Sequence, residues 1–150
     1  DILQPMYSLV KRQAEVEILP MCESEGIAVT PYSPLGGGLL TGKYTQGGTG
    51  RLSEDARYGV RYGLDYMASA SAGLMARAQR EELHPATLAV AWAAAHRAAP
   101  IPIISARNAE QLAPSLKAME LVLAPSLYNE VSALSPTPPP ATDRNEEPGS

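Results

Sequence analysis

The stretch Gly26-Ile27-Ala28-Val29-Thr30-Pro31-Tyr32-Ser33-Pro34-Leu35-Gly36-Gly37-Gly38-Leu39-Leu40-Thr41-Gly42-Lys43-Tyr44 decides the fold. Gly26 follows a segment, Ala14 to Glu25, in which Val16, Leu19 and Cys22 fall at helical spacing with Ile18 and Met21 beside them. A glycine there is the expected stop, because it enters the left-handed region of a helix C-cap without a Cβ penalty. Pro20 removes one backbone donor from the pattern, so a kink or a late helix start is expected. Ile27 to Tyr32 then reads as a short strand of β-favouring residues, closed by Ser33-Pro34. The order is helix, tight glycine turn, strand.

Working outward, Asp1 to Val10 carries Ile2, Leu3, Met6, Leu9 and Val10 and reads as a short strand running into a loop. Leu35 to Gly63 holds most of the chain's 12 glycines and reads as one long loop, of the kind that is usually functional or mobile. Helical composition returns over Asp65 to Glu82, with Met67, Leu74, Met75 and Ala78 as candidate core positions. His84-Pro85 starts another helix, since proline suits the first helical position. Leu88, Ala91, Trp92 and Ala95 share its inner face, and His96 and Arg97 lie where positive charge suits the dipole. Pro100 to Ile104 is an apolar strand, and Asn108 with Gln111 resembles a capping box. The helix that follows, bearing Leu112, Leu116 and Met119, is interrupted by Pro114, and a last helix spans Pro125 to Leu134.

Strands alternating with helices define an α/β class with parallel strands. Three strands are counted, near Leu3, at Ile27–Tyr32 and at Pro100–Ile104. Three parallel strands with two open edges make a poor independent sheet, so neighbours or further chain must complete it. The ordered part is expected to be residues 1–134. From Ser135 to Ser150 the composition turns to Pro-Thr-Pro-Pro-Pro and then acidic residues, a tail expected to be extended or disordered.

Composition sets the outer bounds. A chain of 150 residues, 45% hydrophobic and 19% charged, is globular rather than wholly disordered. A net charge of −4 argues against an extended nucleic-acid-binding face. The run Ile101 to Ile104 is far too short to cross a bilayer, so no membrane insertion is expected. Cys22, the single cysteine, excludes an internal disulfide framework and a thiol zinc site. With no Phe, the core must be built from Leu, Ile, Val, Ala and Met. The chain opens on Asp1, as a piece of a longer one would, and shows no signal-peptide pattern; a cytoplasmic location is expected.

Two phosphate-binding motifs are approached and missed. Gly37 to Lys43 has the G-x-x-x-x-G-K spacing, but Tyr44 stands where a Ser or Thr must hold magnesium, and Thr45-Gln46-Gly47-Gly48 opens no helix. Gly36-x-Gly38 has Thr41 at the third glycine position of a dinucleotide fingerprint. Spacing alone therefore supports only a turn-forming loop. His84 and His96 read as cap and dipole residues without metal-ligand partners, and Cys22 and Trp92 as core. Glu54-Asp55 and Glu81-Glu82 read as exposed acids rather than a catalytic pair.

Taken together, the segments resemble the C-terminal half of the aldo-keto reductases, near the branch that includes the potassium-channel β subunits. The resemblance rests on Gln4-Pro5-Met6-Tyr7-Ser8-Leu9, on Gly26 through Tyr44, on Ala89-Val90-Ala91-Trp92, and on Ile104-Ser105-Ala106-Arg107-Asn108-Ala109-Glu110-Gln111-Leu112. It implies an incomplete (β/α)8 barrel, of which this chain supplies strands six to eight with their helices, binding NADP(H) at the carboxyl ends of the strands. Gln4 would hold the nicotinamide carboxamide and Tyr32 would stack on the ring. Ser33, Pro34, Leu35, Gly36 and Gly37 would line the pyrophosphate. Lys43 and Arg51 would add charge from the glycine-rich segment. Ser105 and Arg107 would receive the 2′-phosphate, and an Arg there favours NADP over NAD. Gln111 and Ser115 would lie at the adenosine end, although Pro114-Ser115 replaces the family's usual acid followed by Asn, and Ser105 replaces a frequent Gly. The implied activity is NADPH-dependent reduction of aldehydes or ketones. The family's catalytic residues belong to the first half of the barrel, so none is assigned here and the chain alone is expected to be inactive. The alternative is an NADP-binding regulatory module with little turnover. The implied partners are a small carbonyl substrate and the N-terminal half of the same barrel.

Overall fold

The computed structural model describes residues 1–140. At its centre β1 (Ile2–Leu3) pairs in parallel with β2 (Ala28–Val29), Ile2 opposite Ala28 and Leu3 opposite Val29. The ladder continues past these short strands. Thr30 N–H donates to Leu3 O and Tyr32 N–H to Pro5 O, both at 2.9 Å, and Tyr7 N–H donates to Tyr32 O at 3.3 Å. The expected strand Ile27–Tyr32 is thus regular only over Ala28–Val29. The expected strand Pro100–Ile104 runs extended along the other side of β2, with Ile101 N–H on Val29 O and Ile103 N–H on Pro31 O, both at 2.8 Å. It is not a regular strand. Pro31 has no N–H to answer the Ile101 carbonyl, so this ladder is bonded from one side only.

Before β2, a 3₁₀ turn at Gln13–Glu15 leads into α1 (Ile18–Glu25). The helix starts later than Ala14, which places Pro20 in the first turn, where its missing N–H has no intrahelical partner anyway. Gly26 caps it at φ 65°.

The glycine-rich segment departs from the expected loop. It is built of 3₁₀ turns at Gly36–Thr41 and Lys43–Gln46, then α2 (Arg51–Glu54) and α3 (Ala56–Tyr62). Left-handed glycines join the turns, and the Asp55 carboxylate caps α3 by accepting Arg57 N–H at 2.9 Å. Gly36, at φ 56°, is required twice over, because a Cβ there would stand 2.9 Å from Val10 Cγ2.

The remaining helices are α4 (Asp65–Arg80), α5 (Pro85–Ala94), α6 (Ala109–Leu116) and α7 (Pro125–Ser132). α4 buries Met67, Ala70, Ser71, Leu74 and Ala78, while Met75 is only half-buried. α5 does not present one apolar face as its spacing suggests. Ala86 to Ala93 are all buried and Ala95 is exposed, because this alanine-rich helix packs between α4 and α6. His84 caps α5 with Nδ1 accepting Ala86 N–H at 3.0 Å. His96 acts differently from a dipole-complementing cation: its Nδ1 accepts Ala98 N–H at 3.1 Å, which requires an unprotonated nitrogen. α6 begins with Asn108 Oδ1 accepting Gln111 N–H at 2.9 Å and continues through Pro114 to Leu116. Pro114 therefore costs one helical bond rather than ending the helix.

The core lies on the side of the sheet covered by helices, where Leu9, Leu19, Val29, Leu40, Met67, Leu74, Leu88, Trp92 and Val131 are buried. A polar network ties this side together. Arg12 forks onto Glu15 through two bonds of 2.9 Å, donates to Ser132 O at 2.8 Å and to Ser135 O at 3.0 Å, and lies over the Trp92 ring. Tyr7 Oη donates to Glu15 Oε1 at 2.7 Å, and Trp92 Nε1 to Ser132 Oγ at 2.9 Å. Burial, reinforced by the Glu15 carboxylate, holds the Tyr7 phenol far above its ordinary pKa, so it is a permanent donor. Ser135 is buried by this network, while residues 136–140 carry no regular structure. The rest of the proline-rich tail lies outside the described residues.

Candidate functional site

Parallel pairing brings the carboxyl ends of β1, β2 and the 101–104 segment to one edge, where sites of parallel α/β folds are built. Register places Gln4 opposite Thr30 and Met6 opposite Tyr32, so Gln4 and Tyr32 share one face of the sheet. Both are exposed, Tyr32 at 40%, while its backbone is fixed by bonds to Pro5 and Tyr7. Beneath this edge Tyr62 is buried, its hydroxyl 3.9 Å from Met6 Sδ, and burial raises its pKa.

The chain turns sharply after Tyr32. Ser33 adopts φ 60°, unusual for a residue with a side chain, and Gly36 N–H closes the turn on Ser33 O at 3.0 Å. Pro34 and Gly36 are buried, whereas Ser33, Leu35 and Gly37 are half-buried. The N–H groups of Ser33, Leu35 and Gly37 take no backbone acceptor among the described residues, so the turn offers donors at the strand edge.

Lys43 and Arg51 are held within their own segment. Lys43 Nζ lies 4.8 Å from the Tyr44 ring centroid, and the Arg51 guanidinium 5.7 Å from that of Tyr58. Tyr44 ties the segment together, donating to Gly37 O at 3.4 Å and accepting Leu52 N–H at 3.2 Å.

Ser105 and Arg107 follow the extended segment and are exposed. Arg107 Nη2 lies 3.1 Å from Glu54 Oε2 at the end of α2, a contact between residues 53 apart in sequence. Gln111 is exposed in the first turn of α6, whereas Ser115 is buried at 2% exposure. Glu54, expected from sequence to be an exposed acid, is exposed, and its pairing with Arg107 is what the sequence did not signal. Nothing in the local pattern of the glycine-rich segment pairs it with Arg107.

Gln4, Tyr32 and the Ser33–Gly37 turn thus meet at this edge, while Lys43 and Arg51 lie on their own tyrosines and Ser115 is buried in α6. A cleft of about 430 Å³ lies elsewhere, between Lys11, Tyr66 and Pro139. Among the described residues no cluster of His, Cys, Asp or Glu could hold a metal, and no helix is long and apolar enough to cross a membrane.

A short parallel sheet with helices on one face and a polar edge at the strand ends is the arrangement of part of a (β/α)8 barrel. The glycerol dehydrogenase structure from Gluconobacter oxydans has this fold over 89% of the chain, with a TM-score of 0.72 and 23% identity, and the chain covers 41% of it. Residues 1–136 match the aldo/keto reductase family, and the chain belongs to that family. It is 33% identical over 136 residues to the uncharacterized oxidoreductase YrpG of Bacillus subtilis, across 90% of this chain and 40% of that protein. It is 29% identical over 151 residues to a probable voltage-gated potassium channel subunit beta of Oryza sativa subsp. japonica, across 93% of this chain and 45% of the relative. The chain spans less than half the length of these relatives.

Proposed function

We propose that this chain is the cofactor-binding part of a cytoplasmic NADPH-dependent reductase of aldehydes or ketones, supplying strands six to eight of its barrel. The observation that carries the reading is Arg107, an accessible guanidinium at the strand edge that already engages a carboxylate oxygen at 3.1 Å. That carboxylate occupies the guanidinium as a phosphate oxygen would. The donor set fits the dinucleotide in four further respects. Tyr32 offers an accessible ring, Gln4 an amide on the same sheet face, the Ser33–Gly37 turn its free N–H groups, and Ser105 a hydroxyl beside Arg107. Lys43 and Arg51 would add charge once released from their tyrosines, and Gln111 would meet the adenosine end. Ser115 does not fit, since its burial keeps it from direct contact.

NADPH, when bound, supplies a hydride to a carbonyl carbon. In this reading Tyr32 would stack on the nicotinamide ring and Gln4 would hold its carboxamide. Arg107 would neutralise the 2′-phosphate and the Ser105 hydroxyl would donate a hydrogen bond to it. The proton for the carbonyl oxygen comes from the N-terminal half of the barrel, which is the partner this chain needs, so the 150 residues alone do not turn over. Neither nucleic acid nor membrane insertion is part of the reading. The channel-subunit relative supports a second reading, an NADP-binding regulatory module with little turnover.

The full-length protein is expected to bind NADPH in a fluorescence titration, and Arg107→Ala to weaken it by about tenfold or more through loss of a charge-assisted pair. Oxidation of NADPH with a panel of aldehydes and ketones separates reductase from module. Absence of NADPH binding overturns both.

A further inference from the structure

We propose that Glu54 sets the choice between the two nicotinamide dinucleotides, competing with a ribose 2′-phosphate for Arg107 and accepting a hydrogen bond from the 2′-hydroxyl when that phosphate is absent. The proposal rests on the reading that Ser105 and Arg107 receive the adenosine ribose. Its own ground is the Glu54–Arg107 contact. The two side chains are 50% and 68% exposed, so the pair is no buried strut of the fold, and a ligand can reach both groups. The neighbouring Asp55 is already committed, capping α3 and clasping Arg57 through bonds of 3.1 and 2.8 Å. Arg51, on the same short helix, is turned onto Tyr58. Glu54 is therefore the carboxylate that α2 directs at Arg107.

The chemistry of the two ribose forms then decides the effect. A 2′-phosphate dianion seeks the same guanidinium and must displace the Glu54 carboxylate or sit beside a like charge. A 2′-hydroxyl is a donor, and a carboxylate at that position is the partner by which other dinucleotide sites select the unphosphorylated cofactor. One pair thus offers an acceptor to NADH and a cation to NADPH, and the acid moderates the preference that Arg107 creates.

The test is an equilibrium titration of the full-length protein with NADPH and with NADH, followed by nicotinamide fluorescence, at low and high salt. Glu54→Gln is expected to tighten NADPH and weaken NADH, each by roughly threefold to tenfold, with a melting temperature close to that of the parent. The difference should shrink at high salt, where such exposed charges are screened. Arg107→Ala is expected to weaken NADPH alone. A ratio of the two dissociation constants unchanged within twofold in Glu54→Gln overturns the proposal while the cofactor reading stands. Equal weakening of both nucleotides also overturns it, since Glu54 would then only hold α2 in place. Failure of the parent protein to bind either nucleotide removes the cofactor reading itself, and the proposal with it.

Discussion

Val29 and Pro31 are buried under helices, while Ala28 and Tyr32, their neighbours along the same strand, face outward beside Ile2, Ile101 and Ile103. Ile2 is 68% exposed and Ile101 66%. The covered face is closed by contacts wholly within this chain, namely the core packed around Trp92 and the Arg12 network binding the first loop to α7. The uncovered face is apolar yet makes no such closure. In a closed barrel the first kind of face meets the surrounding helices, and the second meets the inward side chains of the other strands. This chain thus completes the outer layer of its part of the barrel and leaves the inner layer open, with the candidate cofactor edge at the rim between them.

The largest effect is expected on the closed side. Arg12→Met leaves the Glu15 carboxylate without its cation and the Ser132 and Ser135 carbonyls without their donor, in a pair whose side chains are only 9% and 14% exposed. Removing one member of such a pair costs about 3–5 kcal/mol. Urea unfolding followed by Trp92 fluorescence measures it. A loss below about 1 kcal/mol would mean that solvent already screens the network, and the contrast between the faces would have to rest on apolar packing alone.

A smaller effect tests the same layer through pH. His84 and His96 both accept a backbone N–H through Nδ1, and burial lowers the pKa of each below its ordinary value. Lys117 adds to the lowering at His84, while Glu15 and Glu23 oppose it at His96 and Arg97 and Arg12 add to it. A depressed histidine pKa means that the unfolded chain binds protons first as pH falls. The stability contribution is therefore present above about pH 6.5 and is lost below it, until the folded-state pKa is passed. The urea midpoint should therefore fall between pH 7 and pH 5. The double variant His84→Asn, His96→Asn keeps an acceptor at both positions and should flatten that slope. An unchanged slope would place the titrating groups elsewhere.

The sequence carried the elements whose cause is local. Gly26 stops α1 because its backbone must turn left-handed, His84-Pro85 starts α5, and the Asn108 cap starts α6. It misled where the cause is distant. The one-sided ladder beside Pro31 depends on which strand lies opposite, and the burial of α5 all round depends on helices on both flanks. The glycine-rich segment looked structureless because short 3₁₀ turns leave no periodicity to read. At the site, the quoted motifs marked Gln4, Tyr32 and Arg107 by resemblance, but only the three-dimensional arrangement brings Glu54 to Arg107 and turns Lys43 and Arg51 onto tyrosines. Pairing across 53 residues leaves no trace in local spacing.

The smallest effect sharpens the comparison from the open side. Ile101 donates its N–H to Val29 O but projects its side chain from the uncovered face. Its substitution by Thr keeps the β-branch and the backbone bond and removes only apolar surface that this chain does not bury. In the 150-residue chain, Ile101→Thr is expected to change stability by no more than about 0.5 kcal/mol. In the full-length barrel the same change buries a hydroxyl among inward-facing side chains and should cost about 1–3 kcal/mol. The difference between the two measurements is a direct reading of what covers this face in a complete barrel. A loss above about 1 kcal/mol in the short chain would show that something already covers this face, and a concentration-dependent urea midpoint would identify it as a second copy.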